Sequence, residues 1–363
     1  MELQSKPDFP KTLERFEAWW RCELIDRPLV SMAVHADRPA VRPVPTKEHA
    51  SLRDRWLDIE YHIDRVEAWV ENGVYLGESF PMYMPNLGPE IVATLFGSDL
   101  AFSEDSTWST PIAGNCAEIL EMRPDFETEY WRILRAATEM SVERGRGRWI
   151  TGITDLHTNA DLLAALREPQ DLCLECLTDP ETVAAADRHV TQFFRAIYDD
   201  LHDRIAPAQA GISTSWTPAL HQGRMYNLQS DFICMMSPEQ FQEIVLPDLV
   251  AEMKLLDRSI FHLDGPAATR HLDALLACPE LDGLQWVCGA GNGPASRWAE
   301  LYQRVQAAGK CIQVLYTDMN DAKELARQLR PEGVWFCLEG VYSRAEAEAF
   351  LEWLERWAAG KRV

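Results

Sequence analysis

The sequence has few positive charges for its size and contains no long apolar run. Its 363 residues include 35 Lys and Arg against 57 Asp and Glu, which gives a formal charge of −22. No segment approaches the roughly 20 apolar residues that span a bilayer, and the charged start MELQSKPDFP does not have the apolar core of a signal peptide. The acidic balance argues against a nucleic-acid or membrane partner, because phosphate binding requires a basic surface.

The nine cysteines do not have the spacing of a disulfide framework or of a structural zinc site. Their number is odd and they are scattered along the chain. Only Cys173 and Cys176 form a CxxC pair, without a second such pair elsewhere. This pair lies in a run with helical spacing, so helix packing is the simpler interpretation and redox or metal chemistry is the alternative. The cysteines therefore indicate reduced thiols in a cytoplasmic protein.

Short apolar and β-branched runs alternate with amphipathic helical runs along the chain. The eight predicted strands cover residues 28–35, 73–80, 147–155, 208–216, 258–265, 281–289, 309–318 and 332–340. Such alternation predicts an α/β protein with a parallel sheet covered by helices, and eight units predict a (β/α)8 TIM barrel. A dinucleotide-binding fold is the weaker alternative, because its glycine fingerprint is missing after the first strand.

The length fits a single barrel domain over residues 1–363 better than two domains. We expect an N-terminal helix within residues 1–27, packed outside the barrel. Two connections between strands are long, at residues 81–146 and 217–257. The first of them is expected to form a cap insertion over the barrel mouth, with a separate subdomain as the alternative.

In a parallel barrel the active site lies at the carboxyl ends of the strands. His262 and Asp264 are two residues apart at the end of the fifth predicted strand, so their side chains face the same way. Cys337 and Glu339 have the same relation on the eighth strand. His262, Asp264 and Cys337 are therefore candidate ligands of a zinc ion. The alternative is that His262 binds a neighbouring carboxylate and Cys337 is a buried core thiol.

Other strand ends carry candidate catalytic and substrate-binding groups. Asp155 and His157 follow the third strand, although the same stretch also has the composition of a turn and helix cap. Arg224 and Asp231 follow the fourth strand and are candidates to bind an anionic substrate and to transfer a proton, or else they pair with each other. With Asp155 and Asp231, Glu339 is the third candidate acid–base group.

Two tryptophans and two arginines complete the set of candidates. Trp216 and Trp286 would line the pocket as a flat wall for a large ligand, or they simply pack in the core. Unpaired carboxylates at the mouth would favour a cation there. If they instead pair with Arg38, Arg42 and Arg224, the metal interpretation weakens.

These residues lie in longer stretches that resemble the uroporphyrinogen decarboxylase-like superfamily, which includes the methylcobamide:thiol methyltransferases. The likeness covers nearly the whole chain and is clearest from about residue 150 onward. It rests on GRWITGITDLHTNADLLAALREPQDL, LQSDFICMMSPEQFQEIVLPDL, FHLDGP and LDGLQWVCGAGNGP. The resemblance implies a (β/α)8 barrel, which agrees with the eight predicted strands.

The resemblance also implies a metal site, with one departure from the family pattern. In the methyltransferase branch, zinc is bound by a His-x-Cys pair after one strand and by a distant Cys near the last strand. By position these ligands correspond to His262, to Asp264 in place of cysteine, and to Cys337. An Asp ligand makes a harder metal centre than a thiolate does. The decarboxylase branch fits less well, because the loop VHADRPAVRP lacks its Arg-rich motif and FCLEGVY lacks its histidine.

The resemblance therefore implies a corrinoid-linked methyltransferase. It would move a methyl group between a methylated corrinoid, or a small methyl donor, and a small nucleophilic acceptor, with assistance from zinc. The expected partners are a small-molecule substrate, a corrinoid protein and a second copy in a homodimer. One alternative is a metal-free decarboxylase or lyase acting on a carboxylated, tetrapyrrole-like substrate. The other is a corrinoid- or tetrapyrrole-binding protein without catalytic activity.

Overall fold

The computed structural model describes residues 1–360. Its strands are β1 (Leu29–Val34), β2 (Met82–Tyr83), β3 (Leu100–Phe102), β4 (Thr107–Ser109), β5 (Ile150–Thr151), β6 (Ile212–Ser213), β7 (His221–Gln222), β8 (Met225–Gln229), β9 (Arg258–Asp264), β10 (Gly283–Val287), β11 (Cys311–Thr317) and β12 (Val334–Tyr342). Its α-helices are α1 (Phe9–Trp19), α2 (Leu52–Leu57), α3 (Ile59–Asn72), α4 (Cys116–Ile119), α5 (Glu129–Gly145), α6 (Asn159–Arg167), α7 (Pro169–Thr178), α8 (Pro180–Thr191), α9 (Phe194–Ile205), α10 (Pro238–Gln240), α11 (Leu246–Met253), α12 (Leu272–Leu276), α13 (Ala299–Ala307), α14 (Met319–Ala326) and α15 (Arg344–Ala358). Short 3-10 helices cover Pro89–Phe96, Ala206–Gln209, Asp231–Met235, Pro266–His271 and Ala295–Trp298, and a π-helical turn covers Phe241–Val245.

A parallel sheet of six strands forms the centre of the molecule, in the order β1–β12–β11–β10–β9–β8. Parallel neighbours need a crossover, and helices α11, α12, α13 and α14 supply it between successive strands from β8 to β12. The predicted α/β class with a parallel sheet is confirmed. The strand pairing leaves this sheet open at β1 and β8, so the closed barrel of eight strands stays a prediction.

The strands of the second half of the chain were predictable, and those of the first half were less so. The last four predicted strands correspond to β9, β10, β11 and β12. The assignment of residues 217–257 to a long connection was wrong, because Met225–Gln229 form the edge strand β8 of the central sheet. All five of its residues are buried, so it lacks the polar alternation of a half-buried strand. Residues 73–80 contain no paired strand, and β5 and β6 are only two residues long.

Helix α1 covers the end of the sheet where the strands begin. Its Phe16 and Trp19 rings pack edge-to-face on Trp335, with centroid distances of 5.1 and 5.7 Å. The indole N–H of Trp20, just after the helix, donates to the carbonyl oxygen of Leu220 at 2.8 Å. The predicted N-terminal helix is therefore present, and it packs on the end of the sheet opposite to the carboxyl ends of the strands.

A buried ion-pair network joins the N-terminal segment to β1. The Glu78 carboxylate is fully buried and accepts hydrogen bonds from the Arg15 guanidinium at 3.1 Å and from Arg27 at 2.6 and 2.9 Å. The backbone N–H of Val30 donates to it at 2.8 Å. Each carboxylate oxygen has two donors, which offsets the cost of removing the charge from water.

The remaining predictions about local structure concern an insertion and a CxxC pair. Residues 81–146 contain β2, the β3–β4 hairpin and helices α4 and α5, and β2 pairs in parallel with β5. Whether this segment acts as a cap stays a prediction.

Cys173 and Cys176 lie on α7, and burial raises the pKa of the Cys176 thiol to about 12, which agrees with helix packing. Across residues 1–360, none of the helices is both long and apolar enough to cross a bilayer.

Candidate functional site

The carboxyl ends of the parallel strands bring several predicted site residues together. Strand β9 ends at Asp264, and Asp231 follows the end of β8 by two residues. Asp155 and His157 lie in the loop that follows β5. Because catalytic groups of parallel α/β folds lie outside the carboxyl ends of the strands, this edge is the candidate site.

Two overlapping groups of side chains have the spacing to hold a cation. One contains Asp231, His262 and Asp264, and the other contains His157, Asp161 and Asp231. Within each group, one potential ligand atom from every residue lies within 4.8 Å of the others. The Oδ1 atom of Asp231 is buried and has no hydrogen-bond partner among residues 1–360. A bound cation would satisfy this oxygen, and imidazole and carboxylate donors suit Zn²⁺, Mn²⁺ or Fe²⁺.

His262 is oriented by a row of amide side chains on the adjoining strands. In the sheet it pairs with Gln285 on β10, which in turn pairs with Gln313 on β11. The Nδ1–H of His262 donates to the Gln285 amide oxygen, and Gln285 Nε2 donates to Gln313 Oε1 at 2.9 Å. An amide oxygen only accepts, so in the neutral imidazole the proton lies on Nδ1 and Nε2 is the free ligand atom. This is the tautomer that a metal-binding histidine needs.

The carboxyl groups around His262 have unequal environments. Burial, reinforced by the charge of Asp231, raises the pKa of Asp161 to about 7. Burial also raises the pKa of Asp155 to about 6, against the opposing effect of His157, whose Nε2 lies 3.7 Å from Asp155 Oδ2. The amide of Gln229 donates to Asp155. Asp155 is therefore held near the pH range in which a carboxyl group both gives and takes a proton.

The loop that carries Asp231 is fixed by Asp161. The Asp161 carboxylate accepts the backbone N–H groups of Asp231 at 2.9 Å and Phe232 at 2.8 Å. Asp161 lies in the first turn of α6. It thus anchors the start of the helical turn Asp231–Met235 and places Asp231 beside His262 and Asp264.

A cavity of about 600 Å³ opens beside this group. Trp216 and Gln285 form part of its wall, and the Trp216 ring also packs edge-on against His262 at a centroid distance of 5.0 Å. The cavity and the candidate metal site therefore share Trp216 and Gln285 as a common boundary. Its volume lies in the range of pockets that bind small molecules.

The structure does not bring Cys337 to the other two predicted zinc ligands. Strands β10 and β11 lie between β9 and β12, so Cys337 is three strand spacings of about 4.8 Å from His262 along the sheet. Its Sγ accepts a hydrogen bond from Gln313 Nε2 at 3.5 Å, and burial raises the pKa of its thiol to about 12. Asp231 takes the place that the sequence analysis gave to Cys337.

The two candidate tryptophans differ in position. Trp216 lines the cavity, as predicted for a pocket residue. Trp286 is only 1% exposed and packs against Trp298, with a centroid distance of 4.9 Å. Side chains alternate along β10, so Gln285 faces the cavity and Trp286 faces the helices. The structure therefore removes Trp286 from the predicted pocket.

Arg224 and Glu339 also lie apart from the cluster. Arg224 directly precedes β8, at the amino end of that strand, where it pairs with Asp199 and covers the Tyr198 ring. It does not pair with Asp231 as the sequence analysis proposed as one alternative. Glu339 is exposed at the carboxyl end of β12, and its carboxylate has no hydrogen-bond partner within residues 1–360.

The other arginines considered in the sequence analysis bind elsewhere. Arg42 pairs with Glu67 at 2.8 Å, and Arg38 donates to the backbone oxygen of Glu71 at 2.8 Å. They therefore do not neutralise the carboxylates at the strand ends. The condition under which the metal interpretation would weaken is not met.

Three residues of the site, Asp161, Gln285 and Gln313, have no role assigned from the sequence, although Gln285 lies at the end of the sixth predicted strand. Asp161 lies in the first turn of a helix, where acidic residues are common, so the sequence does not distinguish it from an ordinary helix-start residue. Gln285 and Gln313 carry a weak signal, because each is a polar residue in the middle of an otherwise apolar strand. Buried amides of this kind need hydrogen-bond partners and so point to an interior polar network.

Comparison with known proteins gives a fold and no family. No family profile and no curated protein matches the chain. Among solved structures, the chain is similar to a methyltransferase from Methanosarcina mazei, with a TM-score of 0.62 and 11% sequence identity. The match covers 95% of this chain and 98% of the other. At this identity the likeness establishes a shared fold.

Proposed function

We propose that the chain is a (β/α)8 enzyme of the uroporphyrinogen decarboxylase-like superfamily that transfers a methyl group, with the help of a divalent metal, to a small nucleophilic acceptor. The methyl donor is a methylated corrinoid, free or carried by a corrinoid protein. The observation that carries the proposal is the grouping of Asp231, His262 and Asp264 at the strand ends. The similarity to a methyltransferase over nearly the full length supports methyl transfer as the reaction class.

Two features support a closed barrel. Single backbone hydrogen bonds continue the pairing beyond the open sheet, from Glu78 N to Val30 O at 2.7 Å and from Ile153 N to Thr214 O at 3.0 Å. In addition, residues near the starts of seven strands meet in one apolar cluster with α1: Leu29, Ile150, Ile212, Met225, Ile260, Cys311 and Trp335. Such convergence at one end is typical of strands arranged in a ring.

The donor set fits a metal harder than the thiolate-bound zinc of the family pattern. Asp231, His262 and Asp264 would hold it, and His157 and Asp161 lie next to them. A divalent cation there would supply Lewis acidity that favours the deprotonated, nucleophilic form of the acceptor. Gln285 would fix the His262 ring, and Trp216 would shield the site from water.

The remaining steps fall to the side chains of this chain. Asp155, whose pKa is near 6, accepts the proton that the acceptor gives up. The lone pair of the acceptor forms a bond to the methyl carbon. The bond between methyl and donor breaks, and its electron pair stays with the donor. Gln229 holds the Asp155 carboxyl in place through its amide N–H.

We expect Gln285→Leu to weaken metal binding about 10- to 100-fold, because the leucine cannot accept the Nδ1–H of His262. The measurement is the metal dissociation constant from a competition titration with a chromophoric chelator. The matched control is Gln303→Leu, on the surface of α13, where the amide donates only to the backbone oxygen of Gln328. Equal affinities in the two variants would contradict the positioning role of Gln285.

The function itself is tested by mixing the metal-loaded protein with methylcobalamin and 2-mercaptoethanol. We expect loss of the methylcobalamin absorbance and formation of the methyl thioether, detected by mass spectrometry. Asp155→Asn should slow this reaction by about 100-fold or more, the usual effect of losing a general base. Asp105→Asn, at an exposed loop position, is the control.

Two further measurements separate the alternatives. Saturable binding of methylcobalamin without its consumption would favour the non-catalytic binder. Release of carbon dioxide from a carboxylated tetrapyrrole by the metal-free protein would favour the decarboxylase. Either result would overturn methyl transfer as the function.

A further inference from the structure

The cavity beside the candidate metal site carries almost no free charge on its wall. Apolar side chains dominate the lining, among them Met32, Phe80, Leu315 and Leu338. Among the described residues that line the cavity, Glu78 is the one with a charged side chain. Its carboxylate accepts hydrogen bonds from two arginines and a backbone N–H, so its charge is already compensated within the protein.

Most polar groups on the wall are also occupied. Ser79 Oγ accepts the backbone N–H of Met32 and donates to the carbonyl oxygen of the same residue, both at 2.8 Å. Gln285 and Gln313 bond to each other, and their remaining contacts go to His262 and Cys337. A ligand therefore meets few polar atoms that still need a partner.

One neutral hydroxyl on the wall remains available, that of Tyr75. The Tyr75 phenol packs over Gly73, where a Cβ atom would lie 2.5 Å from the Tyr75 oxygen. Burial raises the pKa of Tyr75 to about 12, so this hydroxyl is neutral at physiological pH. It can exchange one hydrogen bond with an uncharged ligand.

We propose that this cavity binds an uncharged, mostly apolar small molecule with a single hydrogen-bonding group, and that it excludes carboxylates and ammonium ions. The inference rests on the proposed function in taking the cavity as the acceptor pocket. The reason for exclusion is that a charge held against this wall, away from the boundary with the metal site at Trp216 and Gln285, would lose water and find no counter-ion. An amphiphilic acceptor would place its hydrogen-bonding group against Tyr75.

The test uses three probes of the same shape: 4-methylphenol, 4-methylbenzoate and 4-methylbenzylammonium. Dissociation constants are measured for the whole protein by calorimetry, with ligand-observed NMR for weak binding. We expect 4-methylphenol to bind at least about 10-fold more tightly than either ion. Tighter or equal binding of an ion, or no binding of any probe, would overturn the proposal.

Two variants localise the binding to this cavity. Tyr75→Phe should weaken 4-methylphenol about 3- to 10-fold and leave toluene unchanged, because only the hydrogen bond is lost. Leu315→Arg should reverse the preference in favour of 4-methylbenzoate. Tyr342→Phe, whose hydroxyl donates to a backbone oxygen outside the cavity, is the control. An unchanged phenol affinity in Tyr75→Phe would contradict the assignment of the hydroxyl.

The outcome is independent of the metal chemistry. Probe binding is measured without turnover, and His262→Ala removes no lining residue, although it ends the His262 contacts with Trp216 and Gln285. Selective binding of the neutral probe by a protein that transfers no methyl group would retain the cavity assignment and reject the proposed function. Methyl transfer by a protein that binds an ion more tightly than the neutral probe would retain the proposed function and reject the cavity assignment.

Discussion

We expect the native protein to purify with roughly one equivalent of divalent metal and a His262→Ala protein to purify without it. His262 is the one nitrogen donor of the group with Asp231 and Asp264, and its loss leaves two carboxylates that repel each other. The expected loss of affinity exceeds the 10- to 100-fold typical of removing a residue that only orients a ligand. The measurement is metal analysis of the dialysed protein, with circular dichroism to verify the fold.

A second variant separates the structural ligand set from the one that the sequence predicts. Cys337→Ser should keep the metal, because Cys337 lies two strands beyond Gln285 and its thiol contacts Gln313. His202→Ala, on α9 beside Tyr198 and outside the group, should also keep it. Loss of metal from Cys337→Ser with retention in His262→Ala would favour a different site. A native protein that folds without any metal would reject the metal-assisted mechanism.

The part of the site that the sequence predicts lies within one strand. His262 and Asp264 share a face because side chains alternate along a strand, and this holds whatever the neighbouring strands are. The structure places them in one group with Asp231. Asp231 was also a candidate, although as an acid–base group and not as a metal ligand. Side-chain alternation within one strand therefore predicted that His262 and Asp264 lie together, but it did not predict that Asp231 joins them.

Relations between strands depend on order and register, which one sequence does not contain. Cys337 has the correct orientation on β12 and yet lies three strand spacings from β9. The sequence predicts Trp286 as a pocket residue. The pairing of Gln285 with His262 instead shows that Gln285 lies on the inward face of β10 and Trp286 on the opposite face. The same limit hid β8, since a strand buried on both faces has no polar alternation to mark it.

Away from the candidate site, the described structure also contains a group of three buried carboxyl groups without a salt bridge. Asp187 on α8 and Asp248 and Glu252 on α11 are 0%, 5% and 0% exposed. Within residues 1–360, none of them forms a salt bridge, and both oxygens of Asp187 lack a partner. Burial, together with repulsion from its acidic neighbours, raises the pKa of Asp187 well above its usual range. Burial raises that of Glu252 to about 8.

Because the pKa values of these carboxyl groups are raised in the folded state, we expect the protein to lose stability as the pH rises. A group with a raised pKa in the folded state keeps its proton after the unfolded chain has released it. For Glu252, the contribution to the free energy of unfolding is fully present below the unfolded pKa of 4.5. It is lost as the pH rises through the folded pKa of about 8. For Glu252 alone the change between pH 5 and pH 9 is about 3 to 5 kcal/mol.

Glu252→Gln should remove most of this dependence, because glutamine has the shape of the protonated acid and carries no charge at any pH. We expect the variant to be more stable than the native protein at pH 9, by about 3 kcal/mol or more, and similar to it at pH 5. Urea unfolding at pH 5, 7 and 9 measures both differences. Glu243→Gln, at an exposed position in the neighbouring π-helical turn, is the control and should match the native protein throughout. If the native protein and Glu252→Gln lose stability in parallel as the pH rises, the destabilising charge lies elsewhere than Glu252.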